Sequence, residues 1–191
     1  GCDSGSSNRC YGLYEVDMSQ MDHLRFLSVN THSATLSVYV EGISQVSIAN
    51  YIDLTAYAVI NPNYEESGAT WNDATTGVNW NASGLQSGVD YSTMALDMVS
   101  VSIGAFSPHW IEFDVGGAMT GLNGTITIVI IGTPNSGELV LDITSSEEES
   151  TPQYRPKLHY NYTIVDSISL SGPTTTDADT PVSFSGSLLD V

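Results

Sequence analysis

The residues of this chain with the means to do chemistry are four histidines, 22 carboxylates, three tryptophans and two cysteines. His23, His32, His109 and His159 are scattered and match neither an H-E-x-x-H nor an H-x-H metal spacing. No G-x-S-x-G elbow occurs, and no glycine-rich phosphate loop follows a strand pattern. Two carboxylates about 5 to 9 Å apart would suit glycoside hydrolysis, but 22 acidic residues offer such a pair by chance. The expectation is a protein that is not an enzyme.

The carboxylates gather around loops. Glu65, Glu66 and Asp73 flank Trp71, Asp90 follows, and Glu147, Glu148 and Glu149 form a run. Ca²⁺ takes about six to eight oxygen ligands from such carboxylates and loop carbonyls. A structural Ca²⁺ is one reading and a solvated acidic surface the other, since no D-x-D-x-D-G loop is present. No other cofactor is expected. The stretch TWNDATTGVNW sets Trp71 and Trp80 nine residues apart. Trp71 reads as an anchor for the loop. Trp80, among Gly, Asn and Ser, reads as the more exposed candidate; packing within the loop is its first reading and, with Tyr91, a sugar-stacking platform its second. Trp110 alternates with Glu112 and Asp114 and reads as structural.

Cys2 and Cys10 are the only cysteines, and seven mostly small or polar residues separate them. They read as a disulfide-closed loop worth roughly 2 to 3 kcal/mol in the chain-entropy model; two thiols in a reducing cytosol are the alternative. N-x-S/T sequons at Asn81, Asn123 and Asn161 agree with glycosylation of an exported protein. The formal charge of -18, with Lys157 the only lysine, repels phosphate backbones and anionic headgroups. Nucleic acid is therefore excluded as a partner, and so is simple membrane adsorption. No apolar run approaches the length of a membrane span, so no membrane insertion is expected. Salt that screens charge beyond about 8 Å would make such self-repulsion tolerable, which suits an extracellular or cell-surface location.

Period-two alternation must position these residues. Ala34, Leu36, Val38 and Val40 alternate with Thr35, Ser37 and Tyr39, as in a half-buried strand. Similar runs occupy residues 12–18, 52–60, 94–103, 110–115, 125–131, 139–143 and 157–163, separated by Gly, Asn, Pro and Ser clusters. They predict an all-β chain, an antiparallel two-sheet β-sandwich or jelly roll. Residues 115–122 are the one helical candidate.

The order of LYEVDMS, SATLSVYV, YEESGATWN, WIEFDVGGAM and SSEEESTPQYRPKLHY, over residues 8–163, resembles the DNRLRE-domain family, the disaggregatase-related repeats. The resemblance implies an extracellular, non-catalytic β-sandwich of surface proteins or polysaccharide-active enzymes, in some cases carbohydrate-binding. Members open with a strand upstream of the Arg-containing one, and nothing of that length precedes Arg9. Residues 1–165 are read as this sandwich. Residues 166–191 are read as a Ser/Thr-rich tail: a donor strand, or the opening of an Ig-like domain. Ile168, Leu170, Val182 and Phe184 are its apolar positions. The tail is expected to lie extended from Ile168 to Leu189 against another subunit's sheet, completing it by strand addition. Expected partners are thus further copies of the chain or neighbouring domains of one surface protein, with a polysaccharide as the ligand of the alternative reading.

Overall fold

The computed structural model of the chain describes residues 11–17, 29–47, 49–61, 64–65, 68–70, 72–80, 84–104, 106–119, 125–145, 149–164, 167–171 and 185–189. Twelve strands lie within these residues: β1 (Tyr11–Asp17), β2 (Val29–Ser47), β3 (Tyr51–Val59), β4 (Asp73–Thr75), β5 (Val78–Asn79), β6 (Tyr91–Ser102), β7 (His109–Asp114), β8 (Thr125–Pro134), β9 (Glu138–Ile143), β10 (Lys157–Ile164), β11 (Ser167–Ser171) and β12 (Ser185–Leu189). The all-β architecture expected from alternation is present, and the eight runs read from the sequence each fall on a strand. In the helical candidate at residues 115–122, expected to be a turn or two, residues 120–122 lie outside the described residues. Gly116–Ala118 make a single 3-10 turn, as two glycines in succession supply little helix propensity.

The first sheet has the order β1-β8-β3-β6, and its registers are all antiparallel. In the second, β2 is the spine. β7 pairs with Thr35–Val40 on one side. Val40 also pairs with Ile143, so β9 lies on the side opposite β7, in tandem with β10, which pairs from Ser37 back to Val29. Register shifts at Val40/Gly42 and Ile43/Gln45 bend the 19-residue β2, as bulges do, and let one strand serve two partners on one edge.

The core between the sheets follows the period of two. Ala34, Leu36, Val38 and Val40 of β2 meet Ile52, Leu54 and Ala56 of β3, Ile111 and Phe113 of β7, and Ile128 and Ile130 of β8. A second, smaller cluster lies on the outer face of the first sheet. There Ala74, Trp80, Leu85 and Val129 are buried, with Tyr11, Leu13, Tyr57, Tyr64, Tyr91 and Ile131 packed against them. The segment from Ile60 to Tyr91, with the small β4–β5 hairpin, thus roofs one face of the sandwich.

Beyond β10 the chain does not run as one extended segment. β11 and β12 form an antiparallel two-stranded sheet of their own, with Ile168 opposite Leu188 and Leu170 opposite Gly186. The expected single donor strand is therefore corrected to a hairpin: two short runs, each rich in Ser and carrying apolar residues, have matching backbone ladders to offer one another. Its second strand is Ser185–Leu189, downstream of the expected Val182 and Phe184, which lie outside the described residues.

Candidate functional site

The first-sheet roof answers the question posed by the two tryptophans. Trp80 is 3% exposed, its indole N–H donates to the Thr70 carbonyl at 2.9 Å, and its ring stacks with Tyr64 at 6.0 Å between centroids. Of the two readings of Trp80, packing is the one the structure has and the exposed platform is corrected: this ring is the plug of the second cluster. Tyr91 is half-buried beside Tyr57 in the same cluster, 5.0 Å between centroids. Trp80 therefore has no open face for a sugar, while Tyr91 keeps part of its surface exposed. The legible signal was in β8. Ile128-Val129-Ile130-Ile131 is apolar on both faces, which requires cover on both. Trp71 lies outside the described residues.

The carboxylates of this region serve the roof. Asp90 is 0% exposed; its side chain accepts from Gln86 N at 2.8 Å and from Asn61 Nδ2 at 2.7 Å, and its carbonyl accepts from Ile60 and Asn61. Asp73 accepts from the Thr70 hydroxyl and Glu65 from the Thr75 hydroxyl. Leu85, with φ of 62°, turns the chain between Gly84 and Gly88 so that these donors converge on Asp90. Among the described residues no three His, Cys, Asp or Glu side chains converge as metal ligands. Glu66, Glu147 and Glu148 lie outside those residues, as do Cys2, Cys10, Asn81 and Asn123. Asn161 is exposed on β10 and donates to the Ser33 hydroxyl at 3.1 Å. No helix among the described residues is long and apolar enough to cross a membrane.

Two other features remain. The sandwich is closed differently along its two sides. Where β6 faces β7, Asp97 Oδ2 accepts from Asp114 N at 2.9 Å, while its Oδ1 accepts from Met98 N at 2.7 Å. Ser92 Oγ likewise accepts from Met94 N at 3.0 Å. Side chains thus engage amides of this outer strand, a means of discouraging edge pairing. On the other side, between β1 and the tandem β9 and β10, lies a cavity of about 560 Å³. All seven residues of β1 line it, Leu36, Leu54 and Ile130 reach it from the core, and Leu141 and Leu158 close the far wall. Gly132 contributes no side chain to it, and a Cβ there would meet Ile52 at 2.9 Å. Tyr14 lies back along its strand over Gly12, where a Cβ would meet its ring at 2.9 Å. Burial in this seam raises the Tyr14 pKa well above the ordinary phenol value.

The second feature is on the outer face of the second sheet. Tyr39 and Trp110 are paired in register and their rings meet edge to face at 5.3 Å. Tyr154, in the 3-10 turn Pro152–Tyr154, stacks on Tyr39 at 4.1 Å with an interplanar angle of 14°. Lys157 Nζ sits 4.4 Å from the Trp110 ring centroid. Trp110 therefore belongs to the outward row of β7, with Glu112 and Asp114, and packs there against Tyr39; the inward row is Ile111 and Phe113. Comparison of the sequence with protein-family models and with curated proteins gives no match.

Proposed function

We propose that the chain is a non-enzymatic extracellular structural or adhesive module of the DNRLRE type, a subunit of a cell-surface or filamentous assembly joined head to tail by β-strand addition. The observation that carries this reading is the cavity along β1, on the side of the sandwich opposite the side-chain-capped strand β6. A two-stranded sheet such as β11–β12 is marginal in water on its own, so it gains by docking on a further surface. Each of its strands has five residues, about 17 Å at the strand rise, and β1 with seven is long enough to receive one. The segments Ser167–Ser171 and Ser185–Leu189 carry no charge, so the mixed charges of Glu15, Asp17 and Lys157 that line the cavity do not oppose them. Donor and acceptor occupy different places on one subunit, so the contact is heterologous and propagates into a fibre.

Deleting residues 166–191 tests this. The truncated protein should stay folded and monomeric by light scattering while the intact chain assembles, and a peptide of residues 166–191 should raise its Tm. Assembly of the truncated protein to the same size as the intact one would overturn the reading. Export is tested separately. Non-reducing mass spectrometry of native material should find Cys2 linked to Cys10 and hexose mass on the sequon asparagines, and two free thiols would count against an extracellular location.

A further inference from the structure

The two strands of the β11–β12 hairpin differ in how the chain tethers them. β11 starts at Ser167, just after β10 ends at Ile164, so its first residue lies within about 10 Å of the sandwich. β12 starts at Ser185, and residues 172–184, fully extended, reach up to about 45 Å from Ser171. Among the described residues, the seam cavity meets β10 at Lys157 and Leu158, and the strand runs about 23 Å from Lys157 to Ile164. β11 is thus tied to the end of β10 remote from the seam. The ladder that joins the hairpin is short. Of its five pairs, Ile168 with Leu188 is the one that is apolar on both strands; Leu170 stands opposite Gly186, and each of the others contains Ser. Cross-strand pairs of that kind add little to the backbone bonds that hold β12 to β11.

We propose that β12, and not β11, is the strand that enters the seam of a second copy, and that its pairing with β11 is the closed form from which it must be released; this rests on the strand-addition reading and adds which strand travels and what holds it back. Connectivity and charge decide between the strands. Insertion of β11 would bring the acceptor's β1 within about 10 Å of the donor's own sandwich, and each chain carries a net charge of -18. That separation is close to the screening length of about 8 Å at physiological salt, so repulsion between the two bodies would survive. Insertion of β12 leaves up to about 45 Å between them, several screening lengths, and Ser185–Leu189 is itself uncharged. The acceptor is matched to one strand. β1 ends the first sheet, paired with β8, and so has a single edge to offer, and its seven residues cover the five of β12. Moving there, β12 exchanges one five-residue ladder for another, so the backbone hydrogen bonds balance. Beyond the ladder, the seam adds Leu139, Leu141 and Leu158 on its far wall, and apolar contact with them favours the transfer. The old ladder has to break before the new one closes, which makes opening of the hairpin a step that assembly requires.

Two variants test this by light scattering, beside the intact chain and the deletion of residues 166–191. Deletion of residues 172–191 keeps β11 and removes β12, and should abolish assembly as fully as the longer deletion does. In a Cys2→Ser, Cys10→Ser background, Ser169→Cys with Ser187→Cys sets two thiols at directly opposed positions of the ladder, within reach of a disulfide. Oxidised, this chain should stay monomeric; reduced, it should assemble as its background does. Assembly of the 172–191 deletion while the 166–191 deletion stays monomeric would make β11 the donor, overturning the proposal with strand addition intact. Equal assembly of the oxidised and reduced forms would do the same to the required opening of the hairpin. Assembly of the 166–191 deletion, or none by the folded intact chain, would instead remove strand addition itself and, with it, the role given to β12.

Discussion

Trp80 and Trp110 are the same residue type on opposite outer faces of one sandwich, and their surroundings differ in what lies above them. Over the first sheet the chain from Ile60 to Tyr91 folds back and encloses Trp80, giving its indole N–H a carbonyl and its ring a stacked tyrosine. Over the second sheet, among the described residues, only the short turn at Pro152–Tyr154 reaches across, so Trp110 stays partly exposed beside Tyr39 and Lys157. A strand's alternation decides which face a ring occupies. It does not decide whether that face is covered, and cover separates a core plug from a surface available to a ligand.

Truncation of each ring should break the comparison most strongly. Trp80→Ala should destabilise the fold by about 3 to 5 kcal/mol, the range for large aromatic truncations in cores. Trp110→Ala removes an edge-to-face aromatic pair, about 0.5 to 1.5 kcal/mol, and an exposed cation–π contact of about 0.5 to 1 kcal/mol. Urea unfolding of the two variants measures both. Equal losses would mean that the outer face of the second sheet is as closed as the first.

The next effect concerns how the roof is held. Asp90→Ala removes the acceptor of Asn61 Nδ2 in a buried position and that of Gln86 N in a part-buried one. The expected cost is about 1 to 3 kcal/mol for each donor left unmet. Because the roof is tied to the first sheet only, hydrogen exchange should quicken in residues 84–91 and at Val129 while β7 stays protected. Uniform loss of protection across both sheets would show instead that roof and sandwich unfold as one unit.

Much of the architecture was legible because a half-buried strand writes its period into the chain. Ala34 to Val40 and His109 to Asp114 alternate between core and surface as the sequence implies. The misreadings share a cause. Trp80 sits among Gly, Asn and Ser, a composition that suggests a loop in water, yet those residues build the turns that carry the ring down onto Val129. Trp110 shares its parity with Glu112 and Asp114, so ring and acids occupy one outward row, which the sequence shows without showing what packs on it. Tyr39 and Tyr154 are 115 positions apart, and no local pattern marks them as partners. The hairpin of β11 and β12 was hidden for the same reason: pairing between two short Ser-rich runs is a long-range choice that neither run announces.

The smallest effect refines the open face by pH. Burial against its neighbours raises the Tyr39 pKa above 10.0; the charge of Tyr154 and the hydrogen bond with it push the same way, and Glu41 adds a further increment. The folded chain therefore holds this proton more tightly than the unfolded one. The stabilisation is fully present below the unfolded value of 10.0 and is lost as pH rises above it, because unfolding then releases a proton that folding retains. Tyr14 in the seam has the same sign, so the comparison is best made in a Tyr14→Phe background. There, Tm should fall as pH is raised past 10.0, and adding Tyr154→Phe should make the fall shallower by removing the charge and hydrogen bond of Tyr154 while Tyr39 keeps its place on the sheet. Identical slopes with and without the Tyr154 hydroxyl would mean that neither its charge nor its hydrogen bond holds the Tyr39 proton, and that only ring stacking joins the two residues.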